Sequence, residues 1–214
     1  MDSKRIGIVV GLKAEEKIAR PLGWPIAIGG GRAEGAVYAV HTLIARGADA
    51  LVSFGLAGGL DPVLRPGNIL VPNAVHLDGQ IVPCDAALTA RLGGPTDHVL
   101  LAGETLLDTA DAKRRVWHSL AAHAIDLETA AVARAALAHG LPFAVLRAIC
   151  DPANASLPPA ARAALDIAGG IGLWRVAQSL LRQPSQIPDL FALAHDAETA
   201  RRALKQRVAR LAGH

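Results

Sequence analysis

Short, uninterrupted apolar runs alternate along this chain with longer Ala-rich stretches whose apolar residues recur every three or four positions, and Gly or Pro separates the two kinds. The runs predict strands over Arg5 to Val10, Pro25 to Ile28, Ala50 to Phe54, Asn68 to Val71, His98 to Ala102, Ala124 to Leu127 and Phe143 to Ile149. The periodic stretches predict helices over Ala14 to Arg20, Ala33 to Arg46, Asp111 to Ala121 and Glu128 to His139, with two more after Pro159. Strands that are apolar throughout are buried on both faces, so strand and helix in turn predict an α/β fold.

Three Gly-rich or acidic junctions each join a predicted strand to the next segment: Gly29-Gly30-Gly31, Gly55-Leu56-Ala57-Gly58-Gly59, and Asp126-Leu127-Glu128. Junctions of this kind collect backbone N–H groups and strand-end side chains around the crevice where α/β proteins bind ligands. Gly29-Gly30-Gly31-Arg32 lacks the full dinucleotide fingerprint, and a nicotinamide cofactor is not expected. Three acids sit at strand ends: Glu15, Glu128 and Asp151. Each alone reads more readily as a helix cap or first-turn acid than as a catalyst; together they suggest a site.

Composition narrows the picture. The 214 residues, 51% of them hydrophobic, suffice for one sizeable core. Residues 1–157 are expected to form it, with 158–214 as a helical extension of the same domain starting near Leu157-Pro158-Pro159. No run approaches the roughly 20 apolar residues needed to span a bilayer, and the first apolar run, ended by Gly11, does not match a signal peptide, so a cytoplasmic protein is expected. Cys84 and Cys150 are too few for a disulfide framework or a metal site. The modest net charge of +3 and 3% aromatic content disfavour nucleic acid as a partner.

The motifs Gly55-Leu56-Ala57-Gly58-Gly59-Leu60-Asp61-Pro62, Leu64-Arg65-Pro66-Gly67-Asn68-Ile69-Leu70-Val71, Asp126-Leu127-Glu128-Thr129-Ala130-Ala131-Val132-Ala133 and Leu141-Pro142-Phe143-Ala144-Val145-Leu146-Arg147-Ala148-Ile149-Cys150-Asp151 occur in that order. Together they resemble the purine nucleoside phosphorylase and methylthioadenosine/S-adenosylhomocysteine nucleosidase superfamily. Gly11-Leu12-Lys13-Ala14-Glu15 is similar to its N-terminal segment with the catalytic glutamate. The resemblance implies a single domain with a central mixed sheet flanked by helices, no metal or organic cofactor, and a homodimer. The tail motifs Leu157-Pro158-Pro159-Ala160-Ala161, Leu180-Leu181-Arg182-Gln183-Pro184 and His195-Asp196-Ala197-Glu198-Thr199-Ala200-Arg201-Arg202-Ala203-Leu204 resemble the hopanoid-associated branch. That resemblance implies release of adenine from adenosylhopane, a purine nucleoside with a lipid tail.

By the same resemblance, Asp151 protonates adenine N7 and Glu15 takes a proton from the attacking water. Glu128 accepts hydrogen bonds from the ribose hydroxyls, Leu127 packs under the ribose, and Arg147 orients the carboxylates. Leu106 stands where the nucleosidases stack an aromatic ring on adenine, and the Leu107 backbone reads the purine edge. Leu56, Ala57 and Gly58 complete the binding set, while Asp126 receives no role. Cys150 replaces the usual small hydroxyl residue before the acid.

Phosphorolysis needs a dianion held by arginines and a serine. The matching positions here are Ser53 and Leu56, with Leu56 where the serine belongs and neither an arginine, and Glu15 would repel phosphate by about 4 kcal/mol at 4 Å and an effective dielectric of 20. Hydrolysis is the preferred expectation. Phosphorolysis, methylthioadenosine/S-adenosylhomocysteine nucleosidase activity and a non-catalytic nucleoside- or lipid-binding protein are the alternatives.

From Arg182 onward six basic residues (Arg182, Arg201, Arg202, Lys205, Arg207, Arg210) face three acids (Asp189, Asp196, Glu198). Leu193, Ala197, Leu204, Val208 and Leu211 fall near one helical face. Such a helix either covers its own core or docks, as a basic amphipathic segment, on the inner membrane surface.

Overall fold

The computed structural model describes residues 5–159, 161 and 184–213. Its core is a mixed sheet with helices on both faces. The elements run β1 Ile6–Val10, α1 Lys13–Ala19, β2 Ile26–Ile28, α2 Ala33–Ala45, β3 Ala50–Gly59, β4 Ile69–Leu70, β5 Pro72–Leu77, β6 Gln80–Pro83, α3 Ala86–Arg91, β7 Thr96–Ala102, α4 Ala110–Leu120, β8 Ala124–Asp126, α5 Thr129–His139, β9 Phe143–Asp151 and α6 Ile187–Ala212. The expected α/β class and mixed sheet are both present.

Alternation along the strands sorts the core into two layers. Val9, Leu51 and Val145 pack with α2 and α5, while Ile8, Val10, Val52 and Leu146 pack with α1, α3 and α6. A smaller cluster around Leu60, Ala122 and Ile125 carries α4 at one end through Val116 and Trp117.

The strand β3 joins the two parts of the sheet. Its first half lies parallel to β1 and β9, and at Gly58 and Gly59 it turns to pair antiparallel with β8. The apolar pattern alone ended this strand at Phe54 and made Gly55 to Gly59 a loop. The correction has a physical cause: Arg147 and Glu15 at Gly55, the Asp151 carboxylate at Gly58 and the Asp151 backbone at Gly59 leave little or no room for a Cβ, so the glycines mark close packing within a bent strand. The hairpin β5–β6 was also missed. Asp78 and Gly79 both have positive φ, 51° and 78°, the conformation that an Asp-Gly pair favours between strands. The helix α3 was missed as well; it is a short helix capped by Asp85, whose carboxylate accepts from the Leu88 N–H at 2.8 Å. Of the predicted strand over Asn68 to Val71 only Ile69–Leu70 is a strand, β4; β5 starts just beyond it at Pro72.

Of the two helices expected after Pro159, the first lies outside the described residues and the second is α6. Ala200, Leu204 and Val208 of α6 are sealed against β9 and α1, so the apolar face of its second half is occupied by the core. Ile187 and Phe191, one turn apart at its start, remain exposed. No helix among the described residues is long and apolar enough to cross a membrane.

The depth of Leu204 makes a direct test of α6 as part of the same cooperative unit. Leu204→Ala is expected to lower the stability of the whole chain by about 2–5 kcal/mol in a single urea transition. A separate early transition, with the rest of the protein unaffected, would show that α6 folds apart from the core.

Candidate functional site

One cavity of about 310 Å³ opens where β3, β8 and β9 end. It is lined by residues far apart in the chain: Leu12 and Glu15 from the α1 entry, Leu56, Ala57 and Gly58 from β3, Leu106 and Leu107 after β7, Leu127 and Glu128 after β8, and Asp151 at the end of β9. All ten residues singled out from the sequence except Arg147 therefore line a single space. Arg147 lies beneath it, fully buried.

Arg147 is central to the site because β9 runs parallel to β3, which places its guanidinium under both strand-end acids. Its Nη2 donates to Ser53 Oγ at 2.7 Å and Thr129 Oγ1 at 3.3 Å and lies 3.2 Å from Glu128 Oε2; its Nη1 donates to the Leu56 carbonyl at 3.4 Å. Nε sits 2.6 Å from Asp126 Oδ2, an ion pair in which the N–H is not aimed along the contact. Burial weakens the cation, but Asp126, Glu128 and Glu15 more than offset that, and its pKa lies above the ordinary arginine value.

Asp126 also settles the helix-cap question. Its Oδ1 accepts from the Glu128 N–H at 3.1 Å and the Thr129 N–H at 2.8 Å, and its Oδ2 accepts from Thr129 Oγ1 at 2.5 Å. Asp126 thus serves the first turn of α5, and the Glu128 side chain makes no cap bond. Glu15 has two duties. Its Oε2 accepts from the Leu12 N–H at 2.8 Å, closing the first turn of α1, and its Oε1 accepts from the Leu56 N–H at 3.0 Å, tying α1 to β3.

Two glycines make room for these carboxylates. A Cβ on Gly11 would come within 2.5 Å of Glu128 Oε1 and 3.3 Å of Glu15 Oε2, so both acids close over the backbone at that point. A Cβ on Gly55 would meet Arg147 Nη1 at 2.5 Å and Glu15 Oε1 at 2.6 Å. The Gly29–Gly31 loop contributes Gly31 to the wall, with Gly30 and Gly31 in the left-handed region.

Two acids flank one cation at this end, with Glu15 nearby. Burial, opposed by Arg147 and reinforced by Asp126 and Glu15, raises the Glu128 carboxyl to about 7. At the far end Asp151 is paired with Lys113, a buried lysine of α4. Lys113 Nζ also donates to the carbonyls of Pro152 at 3.0 Å and Ala155 at 3.1 Å. The Cys150 thiol, 3.5 Å from Asp151 Oδ1, is held protonated by burial and by the neighbouring Asp151 charge, which removes it as a nucleophile. Burial also pushes Cys84 up to about 12.

Sequence reasoning missed Lys113 and Thr129, and missed the part that Ser53 and Asp126 play in holding Arg147. Ser53 and Thr129 are buried hydroxyls that nothing in their neighbourhood distinguishes. Asp126 was legible as an acid two residues before a helix, the spacing of a side chain that caps it. Lys113 shares the stripe of Val116, Trp117 and Leu120 on α4, and a lysine on the inward stripe of a helix was the available signal.

The chain matches the family model described as the phosphorylase superfamily over residues 8–85 and 88–167. Among curated proteins, no sequence matches significantly. Solved structures with a similar fold include the 5′-methylthioadenosine/S-adenosylhomocysteine nucleosidase of Helicobacter pylori, 17% identical over 98% of this chain and 100% of that one, with a TM-score of 0.67. Futalosine hydrolase of the same organism is 18% identical over 97% of this chain and 99% of that one, TM-score 0.67. A nucleosidase of Colwellia psychrerythraea in complex with adenine is 19% identical over 99% and 96%, TM-score 0.71. At these identities the likeness is one of fold.

The raised Glu128 pKa predicts how stability depends on pH. Folded Glu128 keeps its proton to about pH 7 and the unfolded chain loses it near 4.5, so between those values the folded state binds more protons. Stability is then fullest at the acid end of this window and falls as pH rises through 7. Glu128→Gln is expected to remove about 2–3 kcal/mol of the loss between pH 5 and pH 8 in urea denaturation. Parallel curves for the two proteins would contradict the raised pKa.

Proposed function

We propose, from the premise that the chain belongs to the phosphorylase superfamily, that its cavity cleaves the N-glycosidic bond of a purine nucleoside by hydrolysis. The observation that carries this reading is the meeting of Glu15, Glu128 and Asp151, from positions far apart in the chain, on the wall of one cavity whose remaining lining is mostly apolar. Binding a nucleoside does not need acids at both ends; breaking its bond does. The leaving purine must be protonated while water is activated beside an oxocarbenium-like sugar.

Asp151 serves the base, next to Leu106 and Leu107. Glu128 accepts from the ribose hydroxyls, with Leu127 beneath the sugar and Arg147 fixing the carboxylate from below. Glu15 receives the proton of the attacking water. Its two backbone bonds hold the carboxylate in place and leave lone pairs for that proton.

Two observations favour water over phosphate. Ser53, one of the two positions matched to the phosphate contact, is fully buried, accepts from Arg147 and shares a hydrogen bond with the Thr129 hydroxyl. Among the described residues, the one cation lining the cavity is Lys113, and it is bound to Asp151. A dianion placed near Glu15 and Glu128 would meet net repulsion.

The tail motifs support adenosylhopane as the nucleoside. Leu157, from the first of them, and Leu193, just before the last, both line the cavity together with Leu12 and Leu106, an apolar set suited to a hydrocarbon substituent on the ribose. Purified full-length protein given adenosylhopane is expected to release adenine at equal rates with and without phosphate. A phosphate requirement with a ribose 1-phosphate product would overturn hydrolysis, and a strong preference for methylthioadenosine would overturn the lipid substrate. Asp151→Asn and Glu15→Gln are each expected to lower kcat by about 10²–10⁴.

A further inference from the structure

Lys113 is a buried ammonium in the second turn of α4. It is drawn under the cavity because the start of α4 is zipped to the segment after β9. The Ala110 N–H donates to Ser156 Oγ at 3.0 Å and the Leu157 N–H to the Asp108 carbonyl at 2.8 Å. The three acceptors at Nζ, Asp151 Oδ2 and the carbonyls of Pro152 and Ala155, match the three donors of an ammonium. A contact set of this completeness has the geometry of an ammonium seated on a carboxylate.

That charge state conflicts with Asp151 acting alone as an acid. A carboxylate held against an ammonium has no proton to give when the purine departs. We propose that the acid serving the base is the Lys113–Asp151 pair, with its proton resident on Lys113 Nζ and Lys113 acting through Asp151 as a positioning residue. This rests on the nucleosidase reading of the same cavity.

In the balanced step, the bond between C1′ and the purine nitrogen breaks and its electron pair passes to the base. The Asp151 carboxyl, protonated by Lys113 as that charge grows, hands the proton to N7. Water bonds to C1′ and passes its proton to Glu15, so the products are a neutral purine, the free sugar, an Asp151 carboxylate, a protonated Glu15 and a neutral Lys113 amine; after the base leaves, solvent returns the proton from Glu15 to Lys113. Growing negative charge beside Asp151 makes its carboxylate more basic, and the apolar wall strengthens that effect.

The groups facing the pair are consistent with this direction of transfer. Cys150 precedes Asp151 on β9; Glu15, Asp126 and Glu128 line the same cavity; Asp189 and Asp196 of α6 line the adjoining one. The carboxylates in this set are negative neighbours that favour movement of a proton toward Asp151, Cys150 keeps its proton, and the buried cation Arg147 is paired with Asp126 and Glu128. Glu128, the other group able to hold a proton near neutrality, is engaged with Arg147 at the ribose end.

The test is the pH profile of kcat from about pH 5 to 10 for the full-length wild type, Lys113→Met and Lys113→Arg. It is run on adenosylhopane or methylthioadenosine, and on p-nitrophenyl riboside, whose phenolate departs without a proton. Wild type is expected to hold its kcat to above about pH 9, the range of a lysine ammonium. Lys113→Met is expected to fall about 10²-fold at pH 8 and to recover most of that near pH 5, where Asp151 draws its proton from solvent. Lys113→Arg keeps Asp151 ionised without a transferable proton and stays low throughout. Hydrolysis of the nitrophenyl riboside is expected to stay within about threefold in both variants.

A Lys113→Met profile parallel to wild type, rescue by Lys113→Arg, or equal loss on both ribosides would overturn the pair and leave Lys113 a clamp on the 152–155 turn. Wild type that releases no purine from any nucleoside would instead overturn the nucleosidase reading itself.

Discussion

A guanidinium sealed from water beneath the cavity is the constraint on which the rest of this site depends. Arg147 cannot be deprotonated at any accessible pH, and a charge that deep is tolerated only when it is matched. Asp126, Glu128, Ser53, Thr129 and the Leu56 carbonyl match it from two strands and a helix start. The cation thereby fixes the ends of β3 and β8 relative to β9. It also sets where Glu128 can stand, because the carboxylate that binds Arg147 is the one that faces the cavity.

The same economy of charge explains why the acids of the cavity differ. Glu128 shares a cation with Asp126 and lies near Glu15, so burial and like charge leave it titrating close to neutrality. Asp151 has a cation of its own in Lys113. Glu15 makes no ion-pair contact among the described residues; it feels Arg147 only at longer range and is held by two backbone N–H groups. Three carboxyl groups of similar intrinsic acidity thus receive three environments, and different environments are what allow neighbouring carboxyls to take different tasks. The apolar remainder of the wall amplifies every one of these interactions by excluding water.

Much of this was legible beforehand, for identifiable reasons. The strands β1, β3 and β9 announce themselves as apolar runs because both of their faces are buried. Glu15, Glu128 and Asp151 stand out because acids at the ends of such runs are conspicuous. The hairpin at Asp78-Gly79 was legible too, but β5 is interrupted by Asn73 and His76 and β6 is short and mostly exposed, so their pattern is weak beside the continuous runs. The glycines from 55 to 59 were misread because a glycine cluster has two causes, a turn and a close approach, and only the neighbours of the strand tell them apart. The basic helix at the C-terminus had two readings that differ only in what its apolar face touches. Its second half touches the core.

The sequence by itself determined the layer architecture and the set of strand-end acids, since both arise from local patterns of hydrophobicity and from short-range spacing. Which charge meets which was decided by the tertiary structure. Lys113 and Asp151 are separated by 38 residues and Glu15 and Leu56 by 41, and no local rule relates them. They meet because β3 bends from β9 to β8 and because the start of α4 is tied to the segment after β9. The pairing energy of a buried charge depends on partners that only the folded chain brings within reach.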